Sequence, residues 1–97
     1  MTMNIWKFPL AIIDAQEVEM PIGAKILATK VQPGVFDALG TPCIWALVDP
    51  TAKLVKRRVR IVGTGHAIEA DPGEFLDTFF LADGALVFHV FIGPEGA

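Results

Sequence analysis

Apolar and polar residues alternate along this chain in short runs separated by Pro, Gly and Asp, and no stretch sustains a helical period. Period-two alternation sends successive side chains to opposite faces of a strand. Residues 5–13 read as a first strand with Trp6, Phe8, Leu10 and Ile12 on one face. Pro9 lacks a backbone donor, which assigns that strand to a sheet edge or a bulge. In residues 16–20, Val18 and Met20 point inward and Glu17 and Glu19 outward, the pattern of a strand with one wet face. A break at Pro21 and Gly23 precedes residues 24–32, where strict alternation places Lys25 and Lys30 on opposite faces. The Pro- and Gly-rich residues 33–42 read as a loop with a turn of helix around 35–39.

Residues 42–50, PCIWALVDP, are apolar on both faces until Asp49, as a central strand would be. Trp45 stands as the natural centre of the core there, and the wall of a ligand cage is its alternative role. Residues 55–65 alternate again. Asp71, Pro72 and Glu74 resemble a helix start, but the following FLDTFFLA fits a strand, so a short turn and then a strand from about Phe75 is expected. Residues 85–92 set Leu86, Phe88, Val90 and Ile92 against Val87, His89 and Phe91. Asp83-Gly84 between the last two runs predicts an antiparallel hairpin closed by a type I′ turn. The sum is an all-β single domain over residues 1–97: a small antiparallel β-sandwich or barrel of about seven strands with at most one short helical turn.

Composition sets limits on this picture. In 97 residues, 53% of them hydrophobic with seven Phe and two Trp, one apolar core can form without covalent staples. Cys43 is the single cysteine, so an intrachain disulfide and a thiolate zinc site are both excluded; inside PCIWALV it reads as a buried, inert thiol. A net charge of −3 argues against general nucleic-acid binding, which rests on neutralising phosphates. No run reaches the roughly 20 apolar residues that span a bilayer. The amino-terminal apolar run is interrupted by Lys7 and Pro9 without a leader-type cleavage pattern, so a cytosolic setting is expected.

The densest chemistry lies in KRRVRIVGTGH, residues 56–66. If the strand is unbroken, Lys56, Arg58, Arg60, Thr64 and His66 share one face, and Arg57, Val59, Ile61 and Gly63 the other. The first set could bind phosphate or carboxylate through Arg58 and Arg60, with amides around Gly65 as further donors; alternatively it is a solvated strand whose cations discourage edge pairing. The ligand-binding candidates are therefore Arg58, Arg60, Thr64, Gly65 and His66, with Trp45 as an aromatic wall. GTGH is not a dinucleotide fingerprint, because Ile68 stands where a third glycine belongs. His66 with Glu69, Asp71 or Glu74 could form an acid/base pair, but the chain contains no serine and no recognisable nucleophile. His89, among Phe88, Val90 and Phe91, reads as a core or interface histidine bonded to backbone, and no metal or cofactor set is visible.

KFPL, EMPIGAKILATKVQ, PCIWALVDP, RIVGTGH and ALVFHVF, in that order, resemble a family of small uncharacterised proteins encoded by bacteriophages and prophages. The resemblance spans most of the chain and departs from the family pattern in the longer PGVFDALGTP connection. It implies an accessory protein of the bacterial cytoplasm and no particular site residues. The function expected first is therefore non-enzymatic binding of a host or defence-related partner, with homo-oligomerisation absorbing part of the apolar surplus. The alternative is binding or sequestering a nucleotide or other small anion on the Arg58, Arg60, Thr64 and His66 face; a weak hydrolase using His66 ranks third.

Overall fold

The computed structural model describes residues 2–34 and 39–96. Among the described residues, seven strands form two antiparallel sheets. β1 (Asn4–Pro9), β4 (Thr41–Val48) and β3 (Lys25–Gln32) make a three-stranded sheet in the order β1-β4-β3. β2 (Ala15–Pro21), β5 (Leu54–Gly63), β7 (Leu86–Ile92) and β6 (Glu74–Leu81) make a four-stranded sheet in the order β2-β5-β7-β6. The expected all-β architecture of about seven strands is what the chain adopts, and its helical content among the described residues is one 3-10 turn, Ala82–Gly84. The turn of helix expected around 35–39 falls largely on residues 35–38, which lie outside the described residues.

Alternation fills the space between the sheets. Met20, Ile44, Val59, Val90 and Ile92 are fully buried there, joined by Leu10, Ile61, Phe79 and Leu81, while Glu17, Glu19, Lys56 and Arg58 face water. β4 is central in its sheet, as its apolar faces require, and β1 with Pro9 is an edge. The first strand is shorter than residues 5–13: it stops at Pro9, and Ile12 is exposed in the loop beyond.

Three placements differ from strict alternation or from the simplest reading of it. Trp45 is half-buried on the outer face of β4, opposite Lys7 of β1 and Ala28 of β3, and is not the core centre. A strand apolar on both faces does not say which face meets the second sheet, and Ile44, Ala46 and Val48 do so here. Lys25 and Lys30 share the outer face, because an extra residue, Leu27, interrupts the β3–β4 register between Ile26 and Ala28. β5 lies between β2 and β7, so its cations guard no edge.

A second extra residue, Leu76, interrupts the β6–β7 register between Phe75 and Asp77. Phe75 is thereby set opposite Phe91 on the outer face, while Leu76 packs against the core. The β6–β7 hairpin forms as expected, but its connection is the four residues 82–85 and not a two-residue turn alone: Ala82 (φ 51°), Asp83 (φ 55°) and Gly84 (φ 88°) all take positive φ, and the Ala85 N–H donates to the Ala82 carbonyl at 3.0 Å. Ahead of β6, the Asp71 carboxylate accepts from the Gly73 N–H at 2.9 Å, a side-chain turn that leads into a strand and not into a helix.

Two glycines separate backbone strain from collision. Gly84 (φ 88°) has open space where a Cβ would sit, whereas a Cβ on Gly73 (φ 102°) would lie 2.3 Å from the Ile92 carbonyl oxygen. Gly84→Ala should therefore cost about 1 kcal/mol of stability from conformation alone, and Gly73→Ala about 2–4 kcal/mol because backbone must move. Urea unfolding of both variants measures the difference; equal losses would contradict the tight Gly73–Ile92 approach.

Candidate functional site

The outer face of the four-stranded sheet has two unlike halves. On β2 and β5, Glu19 stands opposite Lys56, Glu17 opposite Arg58 and Ala15 opposite Arg60. Lys56 Nζ also reaches Glu17 Oε2 at 3.7 Å, so the acids of β2 largely balance the cations of β5. Arg60 is committed further: its Nε–H donates to the Asp14 carbonyl at 2.9 Å, and its Nη2 lies 3.3 Å from Asp14 Oδ1. Arg60 thus fastens the β1–β2 connection onto β5. Arg58 is exposed and makes no ion pair among the described residues.

The half formed by β7 and β6 is aromatic. Phe75 and Phe91 lie opposite each other with ring centroids 5.6 Å apart in an edge-on contact, and Phe80 lies opposite Val87. Phe75 and Phe80 are 54% and 61% exposed. Between these pairs His89 lies opposite Thr78 and bridges two hydroxyls, with Nδ1 2.9 Å from Thr78 Oγ1 and Nε2 2.8 Å from Thr64 Oγ1. A neutral imidazole donates at one nitrogen and accepts at the other, so this arrangement satisfies both. The bonding partners of His89 are thus threonine side chains and not backbone.

The residues singled out from sequence are divided among separate places. Arg58 and Arg60 line a hollow of about 440 Å³ with Asp14 and Glu69. Thr64, Gly65 and His66 line another, of about 200 Å³, with Ile68, His89 and Phe91. Trp45 belongs to the other sheet. β5 ends at Gly63, and the chain turns with the His66 N–H donating to the Gly63 carbonyl at 3.1 Å. The His66 ring then lies where a Gly63 side chain would point, the direction shared with Ile61 and Val59 and opposite to that of Arg58 and Arg60. No hydrogen bond links the His66 ring to a carboxylate among the described residues, and no group of three or more His, Cys, Asp or Glu there could hold a metal ion.

Cys43 is buried, its Sγ 3.5 Å from the Thr41 carbonyl, and burial raises its thiol above the ordinary cysteine range more than the positive charge of Lys7 lowers it. The thiol is therefore protonated near neutral pH, as an inert packing group would be.

Fold and face together define a small two-sheet β module presenting a half-charged, half-aromatic outer surface. Within that class, residues 1–97 match the family model of a domain of unknown function, DUF7352, and the chain belongs to that family. No curated protein and no solved structure matches it.

The division of labour between the two outward arginines is measurable. Arg60→Ala should destabilise the protein by about 1–2 kcal/mol, since a mostly buried side chain loses charge-assisted bonds to Asp14. Arg58→Ala should stay within about 0.5 kcal/mol of wild type. Denaturant midpoints check this, and an equal loss in both variants would contradict the assignment.

Proposed function

We propose that the protein is a non-enzymatic binding module whose outer β6–β7 face docks on a partner protein. The observation that carries this is the pair Phe75 and Phe80, each more than half exposed on one face with Phe91 and Val87. A half-exposed aromatic group gives up much apolar area on docking and loses little side-chain entropy, which suits it as an interface anchor. The central Thr64–His89–Thr78 chain supports the same reading, because its polar atoms are already paired and tolerate removal from water. In the bacteriophage or prophage setting that the sequence resembles, the partner is a host or defence-related protein of the bacterial cytoplasm. No helix among the described residues is long and apolar enough to cross a membrane.

A second reading, capture of a nucleotide or other small anion, draws on the hollow beside Arg58. It has less support, because Arg60 is already held by Asp14.

Photo-crosslinking tests the docking face. A benzophenone side chain at position 80 or 75, irradiated in bacterial cells, should give a discrete adduct with one protein, and the same group at position 17 on the charged half should not. Phe80→Ala should weaken the complex by roughly 30-fold, about 2 kcal/mol, with little change in folding stability. Adducts with a second copy of the chain would identify a homo-oligomer. Absence of adducts from both phenylalanine positions, together with nucleotide-induced thermal stabilisation lost in Arg58→Ala, would favour the anion reading instead.

A further inference from the structure

A cavity of about 500 Å³ opens where the edge strand β3 of one sheet meets the edge strand β6 of the other, and Arg57, Lys25, Lys30, Glu74 and Asp77 supply its charged lining. We propose that this cleft binds a small organic monocarboxylate, with the carboxylate on Arg57 and the apolar body over Ile26 and Leu76. The proposal does not rest on the docking reading, although Phe75 borders both surfaces.

Arg57 differs from the other two arginines of β5. It lies opposite Val18, on the inner side of the sheet, and is half-buried. Its Nε–H donates to the Gly93 carbonyl at 3.0 Å, which fixes the guanidinium plane, while its terminal nitrogens have no partner among the described residues. A guanidinium fixed along one edge with its terminal N–H groups free is a ready fork for a carboxylate.

Charge selects among anions. Lys30 is paired with Asp77 at 3.3 Å, which leaves Arg57 inside the cleft against Glu74, with the outward-facing Lys25 at its outer lip as the second cation. One carboxylate balances that remainder, whereas a dianion would meet the charge of Glu74. Ile26 and Leu76 pack against the core and give the wall its apolar part. The volume falls within the range of small-molecule sites.

An independent sign comes from Thr29 on the same wall. It is 3% exposed, and its Oγ1 is buried with no partner among the described residues. A buried hydroxyl without a partner costs stability. A ligand oxygen reaching it after a slight outward shift of the β3 edge would satisfy it.

The test is an amide NMR titration with butyrate, acetate and phosphate at constant ionic strength. Butyrate should give saturable shifts confined to residues 24–30, 57 and 74–77, with tighter binding than acetate, and phosphate should give none. Arg57→Gln should weaken butyrate at least roughly tenfold. Thr29→Val should raise the Tm of the free protein and weaken butyrate, whereas a purely structural Thr29 would raise Tm alone. Glu74 is exposed, so Glu74→Gln leaves the fold intact even if Arg57→Gln does not, and it should admit phosphate. Absence of saturable butyrate shifts in the cleft, unchanged binding in a folded Arg57→Gln, or continued exclusion of phosphate by Glu74→Gln would overturn the proposal.

Discussion

One extra residue in β6 decides what the surface of this protein can do. Counting back from the hairpin, Phe80, Phe79, Thr78 and Asp77 stand opposite Val87, Phe88, His89 and Val90 in unbroken register. Continued without interruption, that register would turn Phe75 into the core and Leu76 out to water. The bulge at Leu76 reverses the two: Leu76 joins the core, and Phe75 emerges beside Phe91, on the face of Thr78 and Phe80. The same step turns Glu74 to the inner side, where it lines the cleft with Arg57. Aromatic face and cleft therefore depend on a single insertion in the ladder.

β3 carries the matching device. Its extra Leu27 lets Ile26 reach the core and sends Lys25 outward, and Lys30 from the same edge pairs with Asp77 of β6. Bulges and lysines on facing edges are a recognised means of keeping strands from pairing with other chains. They leave the two sheets apposed along this side without a shared ladder, and the cleft lies in that seam. Edge protection and cavity formation are thus two results of one arrangement.

Period-two alternation made most of the architecture legible in the sequence. Val18 and Met20 against Glu17 and Glu19, Val90 and Ile92 against His89, and the Asp83-Gly84 turn all read correctly because each depends on its own neighbours. What alternation could not reveal were relations between distant segments. The cations of β5 appeared free because nothing local shows that Glu17 and Glu19 lie opposite them, or that Asp14 holds Arg60. Thr64 and His66 left the line of Arg58 and Arg60 because β5 ends at Gly63 and the following turn re-aims them. Trp45 was assigned to the wrong side of a strand whose two faces are equally apolar. The bulges, which insert a residue without any Gly or Pro marker, gave no local signal for Phe75 or Lys25.

The outward position of Phe75 and the inward position of Leu76 are the central claim, since both proposed surfaces follow from them. Paramagnetic broadening of side-chain resonances by a small, neutral, soluble relaxation agent tests it directly. The account predicts strong attenuation of the Phe75 and Phe80 ring protons, clearly weaker attenuation of the half-buried Leu76 methyls, and protection of the Phe79 ring. Protection of Phe75 together with attenuation of Leu76 would show an uninterrupted ladder and contradict it.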